Sequence, residues 1–133
     1  MENKVENFLY EDLTYKIRGC AFRVYNNLGF GHKEKIYQEA LVCEFQREKI
    51  DFEKEKSLSV IYNDKKIGVY RPDFVINNKI IIEIKAVPFM PAIHEKQLTH
   101  YLKSTNYKLG LLINFGDKNL VIKRRIWTKS YQQ

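Results

Sequence analysis

Asp73, Glu83 and Lys85 are the residues whose types and spacing could do chemistry. They lie in residues 71–86, RPDFVINNKIIIEIKA, where two extended segments, 69–76 and 79–87, flank Asn77 and Asn78. The second segment is nearly all apolar, as expected of a strand covered on both faces. Glu83 and Lys85 interrupt it, and a strand's period of two puts both on one face together with Ile81. A carboxylate and an ammonium in partly buried surroundings are costly unless something compensates them. The nearest compensating group in sequence is Asp73. Two acids and a lysine on one patch of sheet would make an oxygen-lined site for a hard cation, with a positive charge beside it. The competing reading is an ordinary hairpin whose Glu83 and Lys85 form a solvated, charge-paired face.

Register separates the two readings. A two-residue turn at Asn77-Asn78 would pair Ile76 with Lys79 and set Glu83 opposite Pro72. Asp73 and Glu83 would then point to opposite faces, because a slip of one residue inverts every side chain. A shared cation requires a three-residue loop, Asn77-Asn78-Lys79, or a bulge near Pro72. Asparagine tolerates positive φ, which suits the longer loop.

Pro72-Asp73, nine intervening residues and then Glu83-Ile84-Lys85 resemble the PD-(D/E)xK nuclease signature. Upstream, Gly31-His32-Lys33-Glu34-Lys35-Ile36-Tyr37 resembles the motif of the GxxExxY proteins, a small family within that superfamily. Downstream, Gln97 and Tyr101 have the Q-x-x-x-Y spacing of its RecB-like branch. The three motifs fall in the family's order, and the likeness runs over about residues 17–126. It implies a restriction-endonuclease-like αβββαβ core: an α/β fold with a mixed central sheet flanked by helices. It also implies a metal-dependent phosphodiesterase acting on nucleic acid, DNA ahead of RNA.

By that resemblance Asp73 and Glu83 would ligate Mg²⁺, with the backbone carbonyl of Ile84 as a further ligand and Glu34 as a third acid. Mn²⁺ should substitute, since oxygen ligands suit both ions. Lys85 would lie beside the attacking water or the phosphate, easing the development of negative charge. Gln97 and Tyr101, one helical turn apart, would share a face towards the site and touch substrate. Arg71 could grip phosphate or form a surface salt bridge. Without the family, Glu34 reads as an acid favoured in the first turn of a helix. Tyr101 then reads as half-buried core and Gln97 as surface.

The 133 residues form one expected domain, long enough to bury a core, with 1–10 as a loose lead-in. Apolar residues at 44% and aromatics at 14% argue against disorder. A formal charge of +7 favours a polyanionic partner or an anionic surface. No apolar run approaches the ~20 residues of a membrane span, and the N-terminus lacks the apolar core of a signal peptide, so the expected location is cytoplasmic with no membrane partner. Cys20 and Cys43 each sit in a helical pattern and are expected to be reduced, buried packing residues. A chain this small leaves any sequence preference slight or supplied by a partner, and a homodimer is compatible with it.

Apolar spacing predicts helices over about 12–28, 33–48 and 92–104. Strands are expected over 57–62, 67–76 and 79–87 as a three-stranded meander, then over 109–114 and 120–127. The helix between the 79–87 and 109–114 strands makes them parallel neighbours by crossover. Basic residues 118, 123–125 and 129, interleaved with Trp127 and Tyr131, read first as a lysine-blunted edge and second as a phosphate-steering patch. Beside the nuclease reading stand a catalytically weak nucleic-acid-binding protein and a protein-interaction module that retain the fold.

Overall fold

The computed structural model describes residues 10–128. The expectations for residues 1–9, Lys129 and Tyr131 lie outside the described residues. Helix α1 spans Glu11–Leu28 and buries Ile17, Cys20, Ala21 and Val24, a stripe at three- and four-residue spacing. It ends at Gly29, whose φ of 67° lets its N–H return to the Tyr25 carbonyl. Helix α2 spans Glu34–Arg47 and buries Tyr37, Leu41 and Phe45.

Seven strands follow, with helix α3 (Ala92–Thr105) between the fifth and the sixth: β1 (Phe52–Lys54), β2 (Leu58–Tyr62), β3 (Lys65–Tyr70), β4 (Phe74–Ile76), β5 (Ile80–Lys85), β6 (Leu109–Asn114) and β7 (Val121–Ile126). The central sheet has the order β1-β4-β5-β6-β7. Its β5–β6 pair is parallel and the other pairs are antiparallel, which is the mixed sheet the crossover helix predicts.

One expectation needs correction. The strand read over 67–76 is broken, because residues 71–73 leave the ladder between β3 and β4. Pro72 has no N–H to donate, so the chain cannot continue pairing through it. Consequently β2 and β3 peel away as a separate two-stranded sheet, and the short β1 takes the place beside β4. The three-stranded meander does not form.

The sheet separates two cores. Ile80, Ile82 and Ile84 of β5 and Phe74 and Ile76 of β4 pack with the buried faces of α1 and α2. Val75, Ile81 and Leu112 face the other way, towards Leu98 and Leu102 of α3 and Leu58 and Tyr70 of the β2–β3 hairpin. Strand alternation therefore carries Glu83 and Lys85, which follow Ile81 at steps of two, onto the α3 face. Cys20 is buried as expected, but Cys43 is exposed; both thiols are free. Cys43 falls on the outer side of α2, off the Tyr37–Leu41–Phe45 stripe. β7 is an edge strand, and Arg125 within it pairs with Glu95 of α3 rather than lying open for phosphate. Among the described residues, no helix is long and apolar enough to cross a membrane.

Candidate active site

Register brings the two acids together. Ile76 pairs with Ile80, Val75 with Ile81 and Phe74 with Ile82, which leaves Asn77, Asn78 and Lys79 as a three-residue loop. Both asparagines take left-handed backbone, with φ 52° and 54°, and the Lys79 N–H closes the turn on the Ile76 carbonyl at 2.9 Å. Continued one step beyond β4, this register places Asp73 opposite Glu83 on the α3 face.

The two carboxylates are held by each other's strand. The Ile84 N–H donates to Asp73 Oδ2 at 2.7 Å, and the Asp73 N–H donates to Glu83 Oε1 at 3.1 Å. The break at Pro72 makes this possible: β4 ends before it can pair with Ile84 by backbone, and the Asp73 side chain takes the vacant N–H. Both acids are half-buried. Burial, and then the charge of Asp73, push the Glu83 carboxyl up to about 7. Asp73 is also raised by burial, against the lowering effects of the Ile84 N–H, Glu83 and Lys85. Lys85, two residues beyond Glu83, lowers both.

Glu34 is exposed in the first turn of α2, whose buried face packs on the opposite side of the sheet. It makes no hydrogen bond or ion pair within the described residues and is not brought to the acidic pair. Arg71 is exposed, and its Nε donates to Ser57 Oγ at 2.9 Å. Gln97 is exposed on α3, while Tyr101 is half-buried. The Tyr101 ring stacks on Tyr70 with centroids 3.7 Å apart and planes within 3°. That stack is the link between α3 and the acids. The Tyr70 hydroxyl is buried, and burial first and the charge of Glu83 second oppose its ionisation, although it is not in hydrogen-bonding geometry with any described group.

Three residues of the site escaped the sequence reading. Tyr70 gave no signal, because it was read as the middle of a strand. Tyr37, expected on the packed side of its helix but given no part in the glycine turn, is fully buried and stacks on Phe115 at 4.6 Å. Its hydroxyl donates to the Gly29 carbonyl at 2.6 Å and accepts from the His32 N–H at 3.2 Å, fixing the glycine turn. Asn114 is buried at the end of β6 and bonds both the N–H and the carbonyl of Val87, as well as the Gly116 N–H. It thereby ties the loop leaving β5 to the loop leaving β6.

Among the described residues, no group of three or more His, Cys, Asp or Glu side chains converges. A cation here would rest on two carboxylates completed by backbone or water oxygens. Two facing, half-buried acids, each with its ionisation opposed by burial, nonetheless form an all-oxygen donor set short of positive charge. That set fits a hard divalent ion.

An acid pair on adjacent antiparallel strands, a lysine two residues on, and a crossover helix into a parallel neighbour define an α/β nuclease-type core. The family model of the PD-(D/E)XK nuclease superfamily matches residues 11–126, and the chain belongs to that superfamily. Its members generally use divalent metals and act on nucleic acid. The chain is similar to a solved structure described as "Crystal structure of SSO0001", at 26% identity and a TM-score of 0.51, over 70% of this chain and 50% of that one. It thus spans about half the length of that protein. Comparison with curated proteins gives no match.

Proposed function

We propose that this protein is a Mg²⁺-dependent nuclease that hydrolyses phosphodiester bonds, in DNA ahead of RNA, and that it belongs to the GxxExxY branch of its superfamily. The observation that carries the reading is the Asp73–Glu83 register, with Lys85 on the same face. Asp73, Glu83 and the Ile84 carbonyl hold the ion, and Mn²⁺ replaces Mg²⁺. A divalent ion bound there supplies an activated water and neutralises charge on the scissile phosphate.

The chain's own residues do the rest. The Ile84 and Asp73 N–H groups orient the two carboxylates before any ligand arrives. Lys85 stands beside them as a fixed positive charge against the negative charge that builds on the phosphate oxygens. Tyr101 braces Tyr70 behind Glu83, while Arg71 and Gln97, both exposed, are available to substrate phosphates. Glu34, exposed in the first turn of α2, is the third acid by motif and would act from outside the Asp73–Glu83 pair.

The test is cleavage of labelled single- and double-stranded DNA and RNA with Mg²⁺ or Mn²⁺. Glu83→Ala and Lys85→Ala should each lower the rate by about 10²–10⁴-fold. The second reading, a nucleic-acid-binding protein with little turnover, is favoured by the separation of Glu34 from the acid pair. It would show as salt-sensitive binding that survives Glu83→Ala, with no metal-dependent cutting by the wild type.

A further inference from the structure

We propose that the cleft at the C-terminal ends of β5 and β6 is a stacking pocket for an unpaired nucleobase, with Phe30 and Phe89 as its platforms and Lys118 as the partner of the attached phosphate. The proposal rests on the nuclease reading for its ligand and goes beyond it in assigning a second contact with the strand.

The cleft encloses about 510 Å³, and its lining includes Phe30, His32, Ala86, Phe89 and Lys118. That volume lies in the range of small-ligand sites. Ala86 directly follows Lys85 at the end of β5 but packs with the α1–α2 side, so the cleft opens past the strand end on the face away from the acids. In open α/β sheets, ligands are taken at the carboxyl ends of parallel strands, and β5 and β6 are the parallel pair of this sheet.

Phe89 is 84% exposed and Phe30 60% exposed. Single exposed apolar residues are common; here two phenyl rings line one cleft at the C-terminal ends of the parallel strands.

Both rings sit on fixed backbone. Phe30 lies between Gly29 and Gly31 in the turn that the Tyr37 hydroxyl holds from both sides. Phe89 follows the Val87 segment that Asn114 clamps through three hydrogen bonds shared with Gly116. The floor has no slack, since a Cβ on Gly116 would stand 2.1 Å from the Val87 nitrogen. Rigid aromatic faces are what stacking requires, and they accept every base, so the pocket favours single strands or frayed ends without sequence preference. Lys118 is exposed at the rim and makes no ion pair among the described residues, while Asp117 is turned onto the Lys118 N–H. The rim thus offers a phosphate a lysine.

The test is fluorescence anisotropy with dye-labelled oligothymidylate, oligouridylate and a blunt DNA duplex. It is run in EDTA so that no strand is cut. Wild type, Phe30→Ala, Phe89→Ala, the double variant, Phe89→Trp and Lys118→Ala are compared. The double variant should lose about tenfold or more in affinity for single strands and less than about twofold for the duplex, whose bases are already stacked. Phe89→Trp should bind single strands as well as wild type, with its indole fluorescence quenched by the bound strand. Lys118→Ala should reduce the slope of log affinity against log salt by about 0.7. The two oligonucleotides separate DNA from RNA as the source of the base. Wild-type single-strand affinity in the double variant, an equal loss on the duplex, or no single-strand binding by wild type would overturn the pocket. Failure of Mn²⁺-dependent cleavage would instead strike the nuclease reading and leave these binding results standing.

Discussion

Asp73 and Glu83 exchange hydrogen bonds across adjacent strands: the carboxylate of Glu83 takes the backbone N–H of Asp73, and that of Asp73 takes the N–H of Ile84, directly after Glu83. Each acid is therefore aimed by the strand that carries the other. The arrangement holds two like charges together in a half-buried place, which a folded chain tolerates only through protonation, backbone donors or a bound cation.

Protonation gives the first prediction. The Glu83 carboxyl, raised to about 7, ionises near 4.3 in the unfolded chain. Between those values the native state holds more protons than the unfolded state, so stability falls as pH rises from about 4.3 to about 7. Thermal melts without metal should show that decline. Glu83→Gln, which carries no ionisable group, should flatten it and melt higher than wild type at neutral pH. An unchanged slope in the variant would remove Glu83 as its source.

Deleting Asn78 should shorten the loop to Asn77-Lys79 while Ile76 stays opposite Ile80. Asp73 and Glu83 would then still share a face, so divalent-ion binding and cleavage should survive the deletion, and loss of both would mean that the loop rather than the register carries the site. Asn78→Gly should be nearly neutral, whereas Asn78→Val, β-branched at a φ of 54°, should cost about 1–2 kcal/mol in chemical denaturation.

Asn114→Ala strips partners from the Val87 N–H and carbonyl and the Gly116 N–H at once. A loss on the order of 3 kcal/mol is expected in urea unfolding. Gly116→Ala should cost a similar amount through its clash with the Val87 backbone. A loss below about 0.5 kcal/mol in both would mean that the two loops are not clamped.

Tyr101→Leu removes the ring stacked on Tyr70 and should lower stability by about 1 kcal/mol while loosening the support behind Glu83. Cleavage should fall with it, and Tyr101→Phe should restore both, because the stack needs the ring and not the hydroxyl. A Tyr101→Phe variant as impaired as Tyr101→Leu would point to a direct hydroxyl contact with substrate.

Much of this was legible in residue order. The helices followed from apolar spacing, as at Ile17, Cys20, Ala21 and Val24, and the parallel β5–β6 pair from the helix between them. The need for a three-residue loop followed from the condition that Asp73 and Glu83 share a face, and Ile76 opposite Ile80 meets it. What escaped depended on contacts between distant segments. The break at Arg71-Pro72 was hidden in a run of extended residues, and with it the turn of Tyr70 towards Glu83. Glu34 was expected as a third acid from its motif, brought to the sheet by the glycine turn, and among the described residues it does not form a three-acid group with Asp73 and Glu83. Spacing along the chain does not say which sheet face a helix covers, and α2 packs on the face away from the acids. Cys43 was expected to be buried as cysteines in amphipathic helices usually are, but it lies off the Tyr37–Leu41–Phe45 stripe. The Asn114 clamp joins residues 27 positions apart, beyond any local pattern.

The measurement that bears most directly on the account is calorimetric titration of Mn²⁺ into wild type, Asp73→Asn, Glu83→Gln and Lys85→Ala at a pH above 7. The account predicts one site in wild type, lost or weakened at least about tenfold in both acid variants. Lys85→Ala should bind as tightly as wild type or more so, since a repelling charge is gone, while failing to cleave. Mn²⁺ binding that is absent from wild type, or unchanged in Asp73→Asn and Glu83→Gln, would contradict it.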